Sequence, residues 1–151
     1  LMPAAHALLQ TADDVAAALE GLTVDEIWMR PDDAVGSCGF HAVHVAGSTD
    51  RLFTYARGET LSAAQREDLA RERALDEKLP AQALVTMLRT AIDRAIDQLR
   101  ATDVSTLPDE RKVGRGGLPA TVMGLLFHAA EHAQRHAGQI TTTSKLVLAR
   151  R

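Results

Sequence analysis

The sequence PATVMGLLFHAAEHAQRHAGQI occupies residues 119–140 and decides the fold of this 151-residue chain. Pro119 suits the first turn of a helix, so the segment predicts a helix that starts near Pro119 and reaches at least Ile140. His128, His132 and His136 follow one another at intervals of four on this helix. Two imidazoles at that interval are about 6 Å apart along the axis and rotated by about 40°, so they can converge on one ion.

Three further segments have the composition and spacing of long amphipathic helices. The first spans Pro3 to Leu22. The second spans Gly39 to Arg57, with Ser37 as its N-cap and Gly58 at its end. The third begins after Pro80, runs to about Thr102, and has an apolar stripe at Leu84, Met87, Leu88, Ala91, Ile92, Ala95, Ile96 and Leu99. Four long helices without strands predict an all-α fold, a four-helix bundle that forms a single domain over residues 1–151.

The connections between these helices differ in character. Thr23 to Glu26 fits a capping box that opens a short turn ending at Pro31, and Trp28 is expected to plug the end of the bundle there. Residues 62–78 are polar with alternating charges, which indicates a solvated helix or loop outside the bundle. Residues 103–117 are rich in Pro, Gly and charge and show no apolar periodicity, so we expect them to form a connection.

Composition excludes several classes of function. Hydrophobic residues make up 46%, charged residues 25% and aromatic residues 3%, which is typical of a globular helical protein. The net charge is −3 with scattered basic residues, which argues against a nucleic-acid partner. The apolar runs fall short of the ~20 residues that a membrane helix needs, so we expect no membrane partner and a cytoplasmic location.

The single cysteine, Cys38, excludes an internal disulfide. A helix N-terminus would lower the pKa of a thiol at this position and make it reactive. A small, soft side chain among glycines is more often buried packing, which is the interpretation we favour.

The histidines suggest a metal site, since five of the six lie on the second and fourth predicted helices. His132 and His136 need a third ligand from another helix, and His44, flanked by Val43 and Val45, is the natural donor. Three neutral imidazoles with an open position resemble a catalytic zinc site. Imidazole suits other ions too, so the expected cofactor is one divalent metal, zinc or nickel first, with iron or manganese as alternatives.

The remaining histidines fit the coordination sphere less well. His128 lies four residues before His132, and its use would require the helix face to wrap about 80° around one ion. His41 is offset by about 60° from His44, which suits a neighbouring pocket wall. We therefore expect His128 and His41 beside the site, where they would orient a ligand or pack as neutral rings.

Two other groups have a functional and a simpler interpretation. Glu131 is a candidate acid or base, but its spacing from Arg135 favours an ion pair on the outer flank. Arg111, Lys112 and Arg115 lie in a glycine-rich loop ahead of a helix and are candidates for anion binding. A connection whose glycines permit left-handed turns is the simpler explanation, and we favour it.

Two motifs resemble a known family. GFHAVHVAGSTDRL, at residues 39–52, is similar to the first histidine motif of DinB/YfiT-like proteins, in which the second histidine is a ligand. HAAEHAQRHAGQ, at residues 128–139, resembles the closing helix of that family, where the HxxxH before Gly-Gln supplies two ligands. Residues 28–31 and 113–118 extend the resemblance over most of the chain. Many relatives have Asn and His in place of Glu131 and Arg135, so contacts inferred there do not transfer.

The resemblance implies an up-down-down-up four-helix bundle with a divalent metal near one end, held here by His44, His132 and His136. It also implies a homodimer. Characterised members include thiol-dependent S-transferases and a thiol-dependent isomerase. We therefore expect a metal-dependent enzyme that activates a low-molecular-weight thiol to attack a small-molecule substrate. The alternatives are a non-catalytic metal-binding or ligand-binding bundle and a metal-dependent hydrolase.

Overall fold

The computed structural model describes residues 1–74 and 78–151, and four long helices form its body. They are α1 (Met2–Leu19), α3 (Cys38–Ala56), α5 (Ala81–Ala101) and α6 (Val122–Leu148). The first three agree closely with the predicted segments. The last helix starts near Pro119, as predicted, but its first residue is Val122 and Pro119 lies in a strand rather than in the first helical turn. Thr121 caps the helix by accepting the main-chain N–H of Gly124.

The two helices that position most of the histidines run in opposite directions. Cys38, at the start of α3, donates its S–H to the main-chain oxygen of Ile140 in the second half of α6. In contrast, α1 and α6 run in the same direction, since Arg151, just past α6, donates to the main-chain oxygen of Gly21, just past α1. Thus α1 and α6 are parallel to each other and antiparallel to α3.

The remaining long helix, α5, is parallel to α3. Near their C-terminal ends, the Gln98 side chain donates to the main-chain oxygen of Phe53. Both α5 and α6 pack against α1 and α3, so the four helices surround one core. In chain order the long helices run up, down, down, up, which confirms the predicted topology.

The core consists of aliphatic side chains from all four long helices. In α5, Leu84, Leu88 and Ile92 lie at the predicted spacing and are buried in the core. Met87 and Ala91 of the same stripe are only half-buried. The largest fully buried side chains are Leu8, Val15, Leu19, Ile27, Val45, Leu84, Leu88, Ile92, Leu126, Ile140 and Val147. Cys38 is also fully buried, and burial raises its pKa to about 11, which favours the packing role over the reactive thiolate.

One end of the bundle is covered by a short helix, α2 (Val24–Trp28). Thr23 and Glu26 form the predicted capping box at its start. The Trp28 indole N–H donates to the main-chain oxygen of Leu79, 2.9 Å away. A Cβ on Gly39 would lie 2.6 Å from the indole ring, so the absence of a side chain at Gly39 lets the ring pack against α3.

Among the described residues, the segment between α5 and α6 departs from the all-helical expectation. A 3-10 turn (Val104–Thr106) is followed by a hairpin of β1 (Glu110–Val113) and β2 (Leu118–Thr121), paired antiparallel with Glu110 opposite Thr121. Residues 114–117 form its loop, and Gly114 and Gly117 have φ of +66° and +61°. The glycines therefore permit left-handed turns, as expected, and the segment is a connection, but the expectation of a fold without strands is wrong here.

The polar stretch at residues 62–78 forms α4 (Ala63–Ala74), which packs against α3. Residues 75–77, which belong to the same predicted segment, lie outside the described residues. Within the described ranges, none of the helices has both the length and the apolar character needed to cross a membrane.

Candidate metal centre

Three imidazole rings from two antiparallel helices converge in the interior of the bundle. His132 and His136 lie one turn apart on α6, and His44 faces them from α3. One ring nitrogen of each lies within 4.8 Å of the others. The ring centroids are 4.5 to 5.1 Å apart. The structure therefore brings together the three histidines that the sequence predicts as ligands.

Each ring has two nitrogens, and the outer partners indicate which one faces the cluster. His44 Nδ1 contacts the carboxylate of Glu72. His136 Nδ1 lies 2.9 Å from His41 Nδ1. In both histidines Nε2 is therefore the ring nitrogen that remains for an ion in the cluster. His132 directs Nε2 at His44 Nε2, and its own Nδ1 is buried without a hydrogen-bond partner among the described residues.

The contact between His44 and His132 fits a shared cation. A carboxylate can only accept a hydrogen bond, so His44 carries its proton on Nδ1 and a lone pair on Nε2. That Nε2 lies 3.0 Å from Nε2 of His132. Two nitrogen ligands at one tetrahedral zinc ion, each about 2.05 Å from it, are about 3.3 Å apart. The spacing of the rings is therefore close to that of a ligand pair.

Burial keeps His132 and His136 in the protonation state that binds metals. Desolvation, followed by the charge of His44, lowers the pKa of His132 to about 4. Desolvation, followed by the charges of the neighbouring histidines, lowers the pKa of His136 to about 3. The pKa of His41 is lowered for the same reason, burial first. At neutral pH these rings are uncharged and can offer lone pairs to an ion.

Sequence reasoning missed the residue that contacts His44. Glu72 lies on α4, the segment interpreted as solvated, yet its side chain is only 5% exposed. Its second carboxylate oxygen accepts a hydrogen bond of 3.0 Å from Arg51 Nη1. Burial acts to raise the pKa of Glu72, but the hydrogen bond from His44 and the charge of Arg51 outweigh it, so the pKa is lowered. The polar surroundings of Glu72 in the sequence contain no signal that distinguishes it from its exposed neighbours.

Comparison with models of known protein families identifies the family of this chain. The model of the DinB superfamily matches residues 7–140. The chain belongs to the DinB superfamily. Comparison with curated protein sequences found no match.

Two solved structures share the DinB fold of this chain. A conserved protein from Enterococcus faecalis superimposes with a TM-score of 0.81 at 20% identity, covering 98% of this chain and 96% of its own. YfiT from Bacillus subtilis superimposes with a TM-score of 0.72 at 14% identity, covering 95% of this chain and 85% of its own. YfiT is described as a probable metal-dependent hydrolase with an unusual four-helix bundle topology. At these identities the similarity shows a shared fold.

His41 and His128, which were predicted to lie beside the site of this DinB-superfamily chain, differ from each other in burial and in contacts. His41 is buried and contacts His136 directly. His128 is half exposed, and its ring centroid is 5.5 Å from that of His132. Its Nδ1 is hydrogen-bonded to Glu131 at 2.6 Å rather than to a member of the cluster.

Among the described residues, the acidic candidate Glu131 and the basic candidate Arg111 have hydrogen-bond partners other than His44, His132 and His136. Glu131 accepts a hydrogen bond of 2.5 Å from Arg135, in the ion pair expected from their spacing. Arg111 donates to the main-chain oxygen of Ala56 at the end of α3. Arg111, Lys112 and Arg115 line a surface cavity of about 1380 Å³ beneath the hairpin, and His128 lines the same cavity.

Proposed function

We propose that this chain is a metal-dependent enzyme whose three-histidine centre activates a nucleophile, with a low-molecular-weight thiol as the cosubstrate. The observation that carries the proposal is the convergence of ring nitrogens from His44, His132 and His136 within 4.8 Å. Membership in the DinB superfamily supports it.

The donor set fits a divalent ion. Three neutral imidazoles suit zinc or nickel first, with iron or manganese as alternatives, and a three-protein-ligand set leaves a position for substrate. A divalent ion bound there would lower the pKa of a coordinated thiol or water. The chain's own contribution is to orient two of the three rings, through Glu72 at His44 and His41 at His136.

A thiol is favoured over water because the nearby carboxylates are already engaged. Glu72 is hydrogen-bonded to His44 and Arg51, and Glu131 is hydrogen-bonded to His128 and Arg135. These partners lower the pKa of both carboxyl groups, which makes them weak bases toward an attacking water, whereas a thiol loses its proton far more readily than water does. We therefore place the nucleophile on a cosubstrate.

The cavity beneath the hairpin supports this assignment. It extends to His128, one helical turn from His132, and three basic side chains (Arg111, Lys112 and Arg115) outnumber the two acidic ones (Glu59 and Glu110) in its lining. We infer that these cations attract the carboxylates of the thiol cosubstrate. Hydrolysis is the second candidate function, since the similar structure of YfiT is described as that of a probable metal-dependent hydrolase.

The experiment has two parts. Element analysis of the purified protein, with His44→Ala, His132→Ala and His136→Ala beside it, measures metal stoichiometry. We expect one divalent ion in the wild type and its loss in each variant. Full occupancy in all three variants would contradict the ligand assignment, whereas loss of metal from His128→Ala would add that residue to the ligands.

The second part tests the reaction. Metal-loaded protein is incubated with bacillithiol, mycothiol, glutathione or cysteine and a generic electrophile, with His132→Ala as the control. We expect metal-dependent conjugation with at least one thiol and none in the variant. If no thiol is conjugated and none changes the absorption spectrum of a cobalt-substituted site, the transferase proposal is wrong and hydrolysis or passive metal binding remains.

A further inference from the structure

A buried carboxylate from outside the four-helix core contacts the three-histidine cluster. Glu72 lies on α4, while His44, His132 and His136 lie on α3 and α6. The Glu72 side chain is only 5% exposed, although α4 is otherwise polar and largely solvent-exposed. A buried carboxylate is costly unless it is hydrogen-bonded and paired, so this placement requires partners.

Glu72 has a partner for each of its two carboxylate oxygens. Oε1 accepts the Nδ1–H of His44, and Oε2 accepts from Arg51 Nη1 at 3.0 Å. Arg51 is itself buried, with a side chain that is 10% exposed. Because Arg51 can only donate, it holds Oε2 and leaves Oε1 directed at His44.

The backbone of α3 leaves room for this pair of side chains. Gly47 lies between His44 and Arg51 on the same helix. A Cβ added at Gly47 would lie 2.7 Å from Arg51 Nη1 and 3.0 Å from Glu72 Oε2. A side chain at position 47 would therefore make the ends of the Arg51 and Glu72 side chains shift, and glycine leaves them the space in which they pair.

We propose that Glu72 is the positioning residue of the metal centre, which it serves by holding His44 in the tautomer that directs the Nε2 lone pair at His132 and His136. The proposal rests on the metal-binding function proposed above. A carboxylate that accepts the outer N–H of a ligating histidine is a common way to orient the ring and strengthen it as a ligand. Here α4 supplies that carboxylate, which gives this polar helix a role at the site.

The substitution Glu72→Gln separates positioning from packing because it conserves the shape of the side chain. The amide oxygen is the only acceptor that the substituted side chain would offer, and Arg51 requires an acceptor. The amide NH₂ would then face His44 Nδ1 and donate to it. His44 Nδ1 would become an acceptor, and its proton would move to Nε2, the atom that faces the cluster. We expect the substitution to reverse the tautomer while the fold stays intact.

Two measurements test this expectation. In metal-free protein, nitrogen chemical shifts should show His44 protonated on Nδ1 in the wild type and on Nε2 in Glu72→Gln. In a competition titration with Zn²⁺, Glu72→Gln should raise the Kd by about 10- to 100-fold, the usual effect of removing such a partner. Glu67→Gln is the matched control, because Glu67 is an exposed glutamate on the same helix. It should match the wild type in both measurements.

Three outcomes would overturn the proposal. The first is an Nε2-protonated His44 in the wild type. The second is a tautomer that does not change in Glu72→Gln. The third is a Zn²⁺ Kd that Glu72→Gln changes no more than Glu67→Gln does. Because the tautomer is measured without metal, it tests Glu72 even if the wild type binds no Zn²⁺, a result that would instead refute the proposed function.

The variant Glu72→Ala provides a second test that does not rely on amide orientation. It removes the hydrogen bond and leaves the charge of Arg51 beside the cluster, so the Kd for Zn²⁺ should rise at least as much as in Glu72→Gln. Circular dichroism of the metal-free variant establishes that it is folded. A folded Glu72→Ala with wild-type affinity for Zn²⁺ would also overturn the proposal.

Discussion

Acidification should destabilise the metal-free protein well above the pH at which its carboxylates titrate. Burial lowers the pKa of His132 to about 4 and that of His136 to about 3, from an ordinary value of 6.5. Between pH 6.5 and pH 4 the unfolded chain therefore binds protons at these two positions while the folded chain does not. Stability rises with pH wherever the unfolded state binds more protons, so here it falls as the pH falls.

The magnitude follows from the size of the two shifts. At about pH 5, each of these histidines is protonated in the unfolded chain and neutral in the folded chain. The interval of about 1.5 pH units below the ordinary pKa corresponds to about 2 kcal/mol for each residue. We expect the free energy of unfolding to be about 4 kcal/mol lower at pH 5 than at pH 7.5, a large part of the ~5–15 kcal/mol typical of a domain.

Urea unfolding followed by far-UV circular dichroism, in the presence of a chelator, measures this difference. The control is the double variant His132→Gln/His136→Gln, which should lose most of the pH dependence over the same interval. His41, whose pKa is also lowered, leaves a smaller residual effect. Carboxylates with lowered pKa values, such as Glu72, lose their contribution mainly below pH 4.5. An equal loss of stability in the wild type and the double variant would refute the reasoning.

Three further predictions concern the fold and its assembly. Chelation should lower the Tm without abolishing helicity, because four helices share a large apolar core; collapse of the far-UV signal would show that the metal is structural. Gly39→Ala should lower the free energy of unfolding in urea by about 1–3 kcal/mol, since the added Cβ would meet the Trp28 ring. Gly138→Ala is the control, because a Cβ there meets nothing within 4 Å. Light scattering should show that the chain forms a homodimer. Phe127→Glu should weaken the dimer, because Phe127 is 67% exposed beside exposed Met123. A wild-type monomer at high micromolar concentration would contradict this prediction.

The four long helices were predictable because the burial pattern of each repeats over several turns. In α5, the spacing of Leu84, Leu88 and Ile92 predicted the buried face almost completely. The geometry of His132 and His136 was predictable for the same reason, since an interval of four residues places both rings on one helical face. Convergence of His44 with them required the antiparallel packing of α3 and α6, which the family motifs implied.

Features stabilised by contacts between distant segments were not predictable from local pattern. The hairpin strands have four residues each and are mostly half-buried or exposed, so they lack a clear alternation of apolar and polar residues. Pro119 signalled a helix start, yet an isolated hairpin tolerates proline in its strand. Glu72 was overlooked because its burial depends on Arg51 and His44, 21 and 28 residues away in the chain.

The antiparallel packing of α3 and α6 also bears on how the chain folds. His132 and His136 can chelate an ion within one helix, but His44 lies 88 residues from His132 along the chain. Bringing these residues together requires closure of a long loop, which costs conformational entropy before any contact compensates for it. A metal ion that binds all three would therefore favour the fully docked bundle over states in which α6 alone is helical. The ratio of metal affinities between the whole protein and a peptide of α6 would measure how much the docking of α3 contributes.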